Sequence, residues 1–247
     1  MEALKVTFTF CAPVFIDSEQ PIHMDALIAS CVARDLDAMG EENAWLAADD
    51  LSAYLDKTDG ANGDWVWKAS RLIFTPASGI MFQNMTRKSD PDKYFADLGK
   101  YWTGRNPSDD RPLGSINPET FRIDTRSGQQ RGYQWLSASQ WMEKAEAWLI
   151  GDRDALEDLL FRRDADDNVN YKSLRLLEHL GKAGRNGYGR IKRITVESTV
   201  DDEKWRLRVL PSDVDGMPGT QYETVDACIR APYWKKLNRV ICKEPLI

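Results

Sequence analysis

Residues 180–194 read LGKAGRNGYGRIKRI, and they contain four glycines, five basic residues and no acidic residue. A glycine-rich backbone can approach a ligand closely, and its N–H groups can surround a phosphate. Three hypotheses follow for this stretch: a nucleotide site, a surface that grips nucleic acid, or a plain connection between a helix and a strand.

Neither common nucleotide-binding motif fits these glycines. Gly184 and Gly189 have the spacing of a P-loop, but Arg190 and Ile191 follow where that motif needs a lysine and a hydroxyl. A dinucleotide fingerprint leads from a strand into a helix, whereas this stretch is predicted to lead from a helix into a strand. We therefore expect no nucleotide cofactor. The basic side chains and the ring of Tyr188 suit phosphates and bases of RNA instead.

The composition is that of a soluble globular protein. The chain has 247 residues, 42% of them hydrophobic, which is enough for a substantial core. It lacks an apolar run of about 20 residues and the features of a signal peptide, so we expect a cytoplasmic protein with no membrane partner. Four scattered cysteines and two histidines do not form a zinc motif, and we expect no metal.

The charge distribution permits a nucleic-acid partner despite a net charge of −6. Residues 35–64 contain nine acidic residues and one basic residue. Residues 182–193 and residues 230–243 each contain five basic residues and no acidic residue. Local potential, more than net charge, directs a polyanion to a surface.

Hydrophobic periodicity predicts an α+β fold. Leu4, Val6, Phe8 and Phe10 alternate with polar residues, as in a half-buried strand, and Met24, Leu27, Ile28 and Cys31 have helical spacing. One or two ferredoxin-like units would accommodate the order of the elements. Further strands are predicted at residues 65–76, 79–88, 145–150, 191–197 and 205–210, further helices at 152–161 and 170–181, and an extended tail at 230–245.

Four segments together resemble one family. Residues 21–29 (PIHMDALIA), 147–160 (AWLIGDRDALEDLL), 181–191 (GKAGRNGYGRI) and 230–236 (RAPYWKK) are similar to segments of RAMP-superfamily subunits of type IV CRISPR effector complexes. The subunit they resemble caps the guide RNA (crRNA) at its 5′ handle. The resemblance covers most of the chain, although Ala26 replaces the commoner glycine after Asp25.

The resemblance implies a domain organisation and a set of partners. It implies a single RRM-like RAMP domain over residues 1–247, a thumb-like insertion at 88–134, and C-terminal strands at 200–247 that complete the domain. The implied partners are the crRNA 5′ handle, the backbone subunit, a large-subunit-like protein, target DNA with its flanking motif through the guide, and a recruited DinG-type helicase.

The resemblance also implies the RNA-binding residues. They lie on the glycine-rich stretch, on a hairpin of the insertion, and at the start of the first helix. The glycines are Gly181, Gly184, Gly187 and Gly189, and the RNA contacts are His23, Arg122, Arg126, Arg131, Lys182, Arg185, Asn186, Tyr188, Arg190, Lys192 and Arg193.

Two other functions remain open from the residues alone. A repeat-cleaving, metal-independent endoribonuclease needs a general base, and His23 is the one candidate, although a structural role suits its position better. The acidic runs at residues 41–50 and 164–167 are typical of solvated surface, so no catalytic residue is predicted. A protein–protein adaptor with an incidental basic stretch is the third possibility.

Overall fold

The computed structural model describes residues 1–15, 21–47, 49–60, 63–87, 133–161, 177–233 and 235–247. The chain forms two compact units, one of Met1–Ile80 with Ser139–Ile247 and one of Met81–Ala138. The insertion predicted at residues 88–134 falls within the second unit. Its three arginines predicted to contact RNA lie outside the described residues: Arg122, Arg126 and Arg131.

The described residues form an α+β protein with mostly antiparallel sheets, which confirms the predicted class. In this part of the chain, the helices are too short or too polar to cross a membrane. In chain order the elements are β1 (Glu2–Phe10), α1 (Met24–Ala38), α2 (Ala44–Ala47), β2 (Lys57–Asp59), β3 (Trp65–Trp67), β4 (Ile73–Pro76), β5 (Met81–Arg87), β6 (Tyr133–Ser139), β7 (Met142–Gly151), α3 (Arg153–Leu160), β8 (Ile191–Ser198), β9 (Leu210–Pro211), β10 (Tyr222–Cys228) and β11 (Arg239–Pro245).

A four-stranded antiparallel sheet with the order β4-β7-β1-β8 forms the centre of the first unit. Strand β1 lies inside the sheet, and its Val6 is opposite Ala147 of β7 and Val196 of β8. The alternation predicted for β1 is confirmed, since Leu4, Val6 and Phe8 are fully buried. The intervening polar side chains of β1 lie on the opposite face of the sheet.

Helices α1 and α3 contribute to the core on the buried face of this sheet. Met24, Ile28 and Cys31 of α1 share one core with β1 and with three leucines of α3. Helix α3 begins after Asp152, whose carboxylate accepts a hydrogen bond of 2.9 Å from the Ala155 N–H. A carboxylate at this position satisfies an otherwise unpaired donor of the first helical turn. The helical periodicity predicted from residues 24 and 152 onward is therefore confirmed.

The last three strands form a separate small sheet with the order β10-β11-β9. Its core includes Trp205, Leu210, Ile229 and Cys242, together with Val66 from β3. Among its described residues, the first unit thus has two clusters of buried apolar side chains, one on the four-stranded sheet and one on the C-terminal sheet.

The helix predicted at residues 170–181 is wrong over its described part. Residues 177–181 are not helical, because their backbone groups pair with the strand-like residues that follow. The Leu180 N–H donates to the Gly189 carbonyl at 2.9 Å, and the Ile191 N–H donates to the Glu178 carbonyl at 2.9 Å. The glycines between these residues turn the chain into a hairpin-like connection.

The strand predicted at residues 205–210 is also largely wrong. Lys204–Arg206 form a 3₁₀ turn, and only Leu210 joins the short strand β9. The extended tail predicted at 230–245 is correct only from Arg239, because Lys236–Asn238 form another 3₁₀ turn. In the first of these segments, Trp205 and Val209 are buried in the second core without strand pairing, so alternation alone was misleading.

Candidate nucleic-acid interface

Residues 181–190, here called the glycine loop, fold against the segment that follows β1. Four residues of the loop have positive φ angles, namely Gly181, Ala183, Gly187 and Gly189, with a 3₁₀ turn at Gly184–Asn186. The Gly189 N–H donates to the Pro13 carbonyl at 2.7 Å, and the Lys182 N–H donates to the Phe15 carbonyl at 3.4 Å. The base of the loop is therefore held by main-chain hydrogen bonds.

The structure exposes every cation predicted on the glycine loop and its following strand. The side chain of Asn186 is on the surface, and so are those of the five cations: Lys182, Arg185, Arg190, Lys192 and Arg193. Three of them, Arg185, Arg190 and Lys192, form no ion pair with any of the described residues. Positive charge that is exposed and unneutralised is what attracts a phosphate backbone.

A β-bulge at the start of β8 presents two successive cations. The pairing of β1 with β8 shifts between Thr9, which is opposite Arg193, and Phe10, which is opposite Ile191. Lys192 is the extra residue, and both it and Arg193 are exposed between the buried Ile191 and Ile194. A bulge redirects side chains in this way at the edge of a sheet.

Tyr188 is anchored by its ring. The ring lies 4.2 Å from that of the buried Phe15, with an angle of 49° between the planes, and the side chain is half-buried. Packing of one part of the ring on Phe15 limits its rotation. The stacking of an RNA base on Tyr188 stays a prediction.

The second basic stretch, residues 230–243, differs because most of its cations have partners inside the chain. Lys235 pairs with Asp49 at 3.6 Å, and Arg239 pairs with Asp226 at 3.0 Å. The guanidinium of Arg230 lies 4.5 Å from the centre of the Trp65 ring. The glycine loop is therefore the stronger candidate for a polyanion, and Asp49 of the acidic segment at 35–64 pairs with the basic tail.

The segments containing His23, Asp25 and Tyr233 meet in the interior. Tyr233 donates to Asp25 at 2.9 Å, and the fully buried Arg208 pairs with the same carboxylate at 3.3 Å. His23 stacks on Tyr233 with ring centres 4.4 Å apart. Sequence reasoning missed Arg208. Its position between the apolar residues Leu207 and Val209 was the one sign that it could be buried.

His23 is 5% exposed, so its predicted contact with RNA is not supported by its position. Burial, with the charges of Arg208 and Arg71, lowers the pKa of His23 well below its ordinary value. Its Nδ1 atom has no hydrogen-bond partner among the described residues. These features favour the structural role that the sequence also suggested for His23.

His23 is expected to make stability depend on pH. An unfolded chain binds a proton at His23 below about pH 6.5, whereas the folded chain resists it, so stability falls as the pH drops through and below that value. The slope reaches at most about 1.4 kcal/mol per pH unit from this group. The free energy of unfolding, measured with urea at pH 7.5, 6.5 and 5.5, should fall less on acidification for His23→Phe than for the wild type. An equal fall in the two proteins would contradict this expectation.

The fold and the surface define a class of protein, an α+β protein whose antiparallel sheet carries an exposed cationic loop at one edge. A family model for CRISPR type IV associated protein Csf3 matches residues 2–245, so the chain belongs to this family. It is therefore a component of a type IV CRISPR complex, and the type IV membership predicted from the four segments is confirmed. A search of curated proteins finds no match.

Proposed function

We propose that the chain is a non-catalytic RNA-binding subunit that holds the 5′ handle of a crRNA and caps the filament of backbone subunits. The observation that carries the proposal is the exposed cationic surface of the glycine loop and the start of β8. It is formed by Arg185, Arg190 and Lys192, which make no ion pair within the described part of the chain. Membership in a type IV CRISPR family supplies the biological setting in which such a surface meets a guide RNA.

The topology of the core supports a RAMP-type, ferredoxin-like interpretation. The main sheet and its helices follow the chain order β1-α1-β4-β7-α3-β8, which is a β-α-β-β-α-β unit. The first strand is flanked by the third and fourth strands of this unit, and all neighbours are antiparallel. This is the strand order of ferredoxin-like domains, and RRM modules bind RNA on the same scaffold.

The proposed mechanism is binding without chemistry. The loop cations neutralise handle phosphates, and the exposed part of Tyr188 supports a base. Phosphate contacts position the RNA, while pairing between guide and target supplies the sequence specificity. Target DNA then meets the subunit through the guide, and contact with the flanking motif or a DinG-type helicase is a further part of the proposal.

The described part of the second unit supports contact with another subunit. Strands β5 and β6 form a two-stranded sheet, which is marginally stable by itself in water. Phe82 and Leu136 on these strands are 66% and 62% exposed. Exposed apolar residues on a small sheet are compatible with an interface, and we assign the thumb-like unit to packing on the adjoining backbone subunit, with a large-subunit-like protein as another neighbour.

The endoribonuclease alternative receives no support from His23, because a general base must reach the proton that it removes. His23 is buried and stacked on Tyr233. We expect repeat RNA incubated with the purified chain in EDTA to remain intact. Cleavage products ending in 2′,3′-cyclic phosphate would overturn the non-catalytic part of the proposal.

The direct test is to coexpress the chain with the other subunits of its complex, purify the complex through a tag on this chain and sequence the bound RNA. We expect RNAs of uniform length that share one repeat-derived 5′ end. An intact complex with random RNA or no RNA would refute the handle-binding proposal. It would favour the adaptor hypothesis, especially if partner binding survived nuclease treatment.

Replacing Arg185, Arg190 and Lys192 by alanine is expected to weaken binding of a repeat-derived RNA by at least about tenfold in 0.15 M salt. The slope of log K against log salt concentration should fall by about 2, at roughly 0.7 per lost phosphate contact of a single strand. Fluorescence anisotropy of the labelled RNA measures both quantities.

A matched triple variant keeps the change in net charge but removes cations that are engaged within the chain. Lys235 and Arg239 form ion pairs, and Lys243 lies 5.8 Å from the centre of the Tyr222 ring. Replacing these three residues by alanine should change affinity less than about threefold if the glycine loop is the binding surface. Equal losses in the two triple variants would indicate a response to net charge alone.

A further inference from the structure

A row of polar side chains crosses one end of the exposed face of the four-stranded sheet. Thr75 of β4 is opposite Lys144 of β7, Lys144 is opposite Thr9 of β1, and Thr9 is opposite Arg193 of β8. Phe8 and Phe10, on either side of Thr9, point into the core, so the row lies on the other face. The bulge residue Lys192 connects the row to the glycine loop.

Beyond this row, the side chains on the same face of the sheet are engaged in contacts within the chain. Trp148 is only 8% exposed, and the Lys204 ammonium lies 4.9 Å from the centre of its ring. Lys5 lies between Glu146 and Glu197, at 3.8 and 3.7 Å from their carboxylates. The end of the face nearest the glycine loop is therefore the part available to a ligand.

An exposed tryptophan lies at this end of the sheet. Trp141 directly precedes β7 and is 41% exposed, although the next residue, Met142, is buried. Its backbone is fixed on both sides: the Ala77 N–H donates to its carbonyl at 2.8 Å, and its N–H donates to the Ser78 hydroxyl oxygen at 3.1 Å.

Main-chain hydrogen bonds connect Trp141 to the support of the glycine loop. Gln140, its neighbour, forms two hydrogen bonds with Val14, at 2.8 and 3.0 Å. The residues on either side of Val14 are Pro13 and Phe15, which bond the glycine loop. The tryptophan, the supporting segment and the loop are thus joined through consecutive backbone contacts.

We propose that Trp141, Lys144, Thr9 and Arg193, here called the sheet platform, bind single-stranded RNA beside the glycine loop. Trp141 stacks on a base, and the two cations and the hydroxyl contact the sugar-phosphate backbone. An exposed aromatic ring beside cations is the combination that binds single strands with little sequence preference. Glu143 and Glu146 are the acidic residues of this part of β7, and the Glu146 carboxylate forms an ion pair with the Lys144 ammonium at 3.0 Å. The inference rests on the proposed RNA-binding function.

The test uses the full chain and a repeat-derived RNA that carries 4-thiouridine at single positions. Trp141→Ala is expected to weaken binding about tenfold or more, and Trp141→Phe to restore most of it, because phenylalanine still offers a stacking face. One or more thiouridine positions should photo-crosslink to Trp141. Lys5→Ala, on the same face but between the carboxylates of Glu146 and Glu197, should leave the affinity unchanged.

The outcomes separate this inference from the proposed function. If the glycine-loop triple variant weakens binding but Trp141→Ala does not, the platform is refuted and the handle-binding proposal stands. If neither variant affects binding, the proposed function fails. If Trp141→Ala releases a partner subunit from the complex without changing RNA affinity, this tryptophan belongs to a protein interface. The sheet platform is then refuted.

Discussion

Arg208→Ala is expected to lower the free energy of unfolding by about 3–5 kcal/mol, because it leaves one charge of a buried ion pair without its partner. Both Arg208 and Asp25 have side chains with no solvent exposure, and their closest charged atoms are 3.3 Å apart. The guanidinium also donates to the carbonyls of Trp67 and Ala69, at 2.7 and 3.0 Å. Alanine would remove both of these buried hydrogen bonds as well.

Urea unfolding of the full chain, followed by circular dichroism, measures this loss. Arg153→Ala is the matched control, because Arg153 forms a surface pair with Glu157 at 3.0 Å and should contribute less than about 1 kcal/mol. Replacing the pair together, by Asp25→Leu with Arg208→Met, should recover a large part of the loss since no charge is stranded. If Arg208→Ala lowers the free energy of unfolding as little as Arg153→Ala does, the stabilising role assigned to the buried ion pair is wrong.

The buried pair explains what two of the recognised segments do in the fold. Asp25 belongs to PIHMDALIA and Tyr233 to RAPYWKK, and both contact Arg208. Tyr233 also closes the cluster by donating to Asp25. The start of α1 is therefore held against the C-terminal part of the chain, where the second core is formed. These segments identified the family, but within this chain their shared role is to join its two cores.

Local periodicity predicted the elements that have one buried face. Alternation identified β1, and helical spacing identified α1 from Met24, because in each case the buried residues repeat with the period of the element. The exposed cations of the glycine loop could also be predicted, since five basic residues around four glycines cannot all be buried. These features depend on near neighbours in the sequence.

Features that depend on distant partners could not be predicted. Arg208 is 183 residues from Asp25, and nothing in the sequence around either residue specifies the other. The apolar spacing near Leu177 and Leu180 resembles a helix, yet the backbone of Leu180 pairs with Gly189 instead. Tertiary hydrogen bonding overrode the local propensity there, and the exposure of Trp141 likewise depends on how β4 and β7 end.

Gly189→Ala is expected to disrupt the glycine loop, because this position has no room for a side chain. A Cβ atom at Gly189 would lie 1.8 Å from the Leu180 carbonyl oxygen, and the φ angle of +64° adds strain for any L-residue. Relief of the clash requires the Leu180–Gly189 and Gly189–Pro13 hydrogen bonds to separate. We expect about 3 kcal/mol of destabilisation and at least about a tenfold loss of RNA affinity.

Gly187→Ala provides the matched control within the same loop. Gly187 also has a positive φ angle, +85°, but a Cβ atom added there would have no described neighbour within 4 Å, so only the backbone strain of about 1 kcal/mol applies. Urea unfolding and RNA anisotropy of the two variants should therefore separate a steric effect from a conformational one. Equal behaviour of the two variants would mean that the contact between Leu180 and Gly189 does not determine the shape of the loop, and that its cations are positioned by other residues.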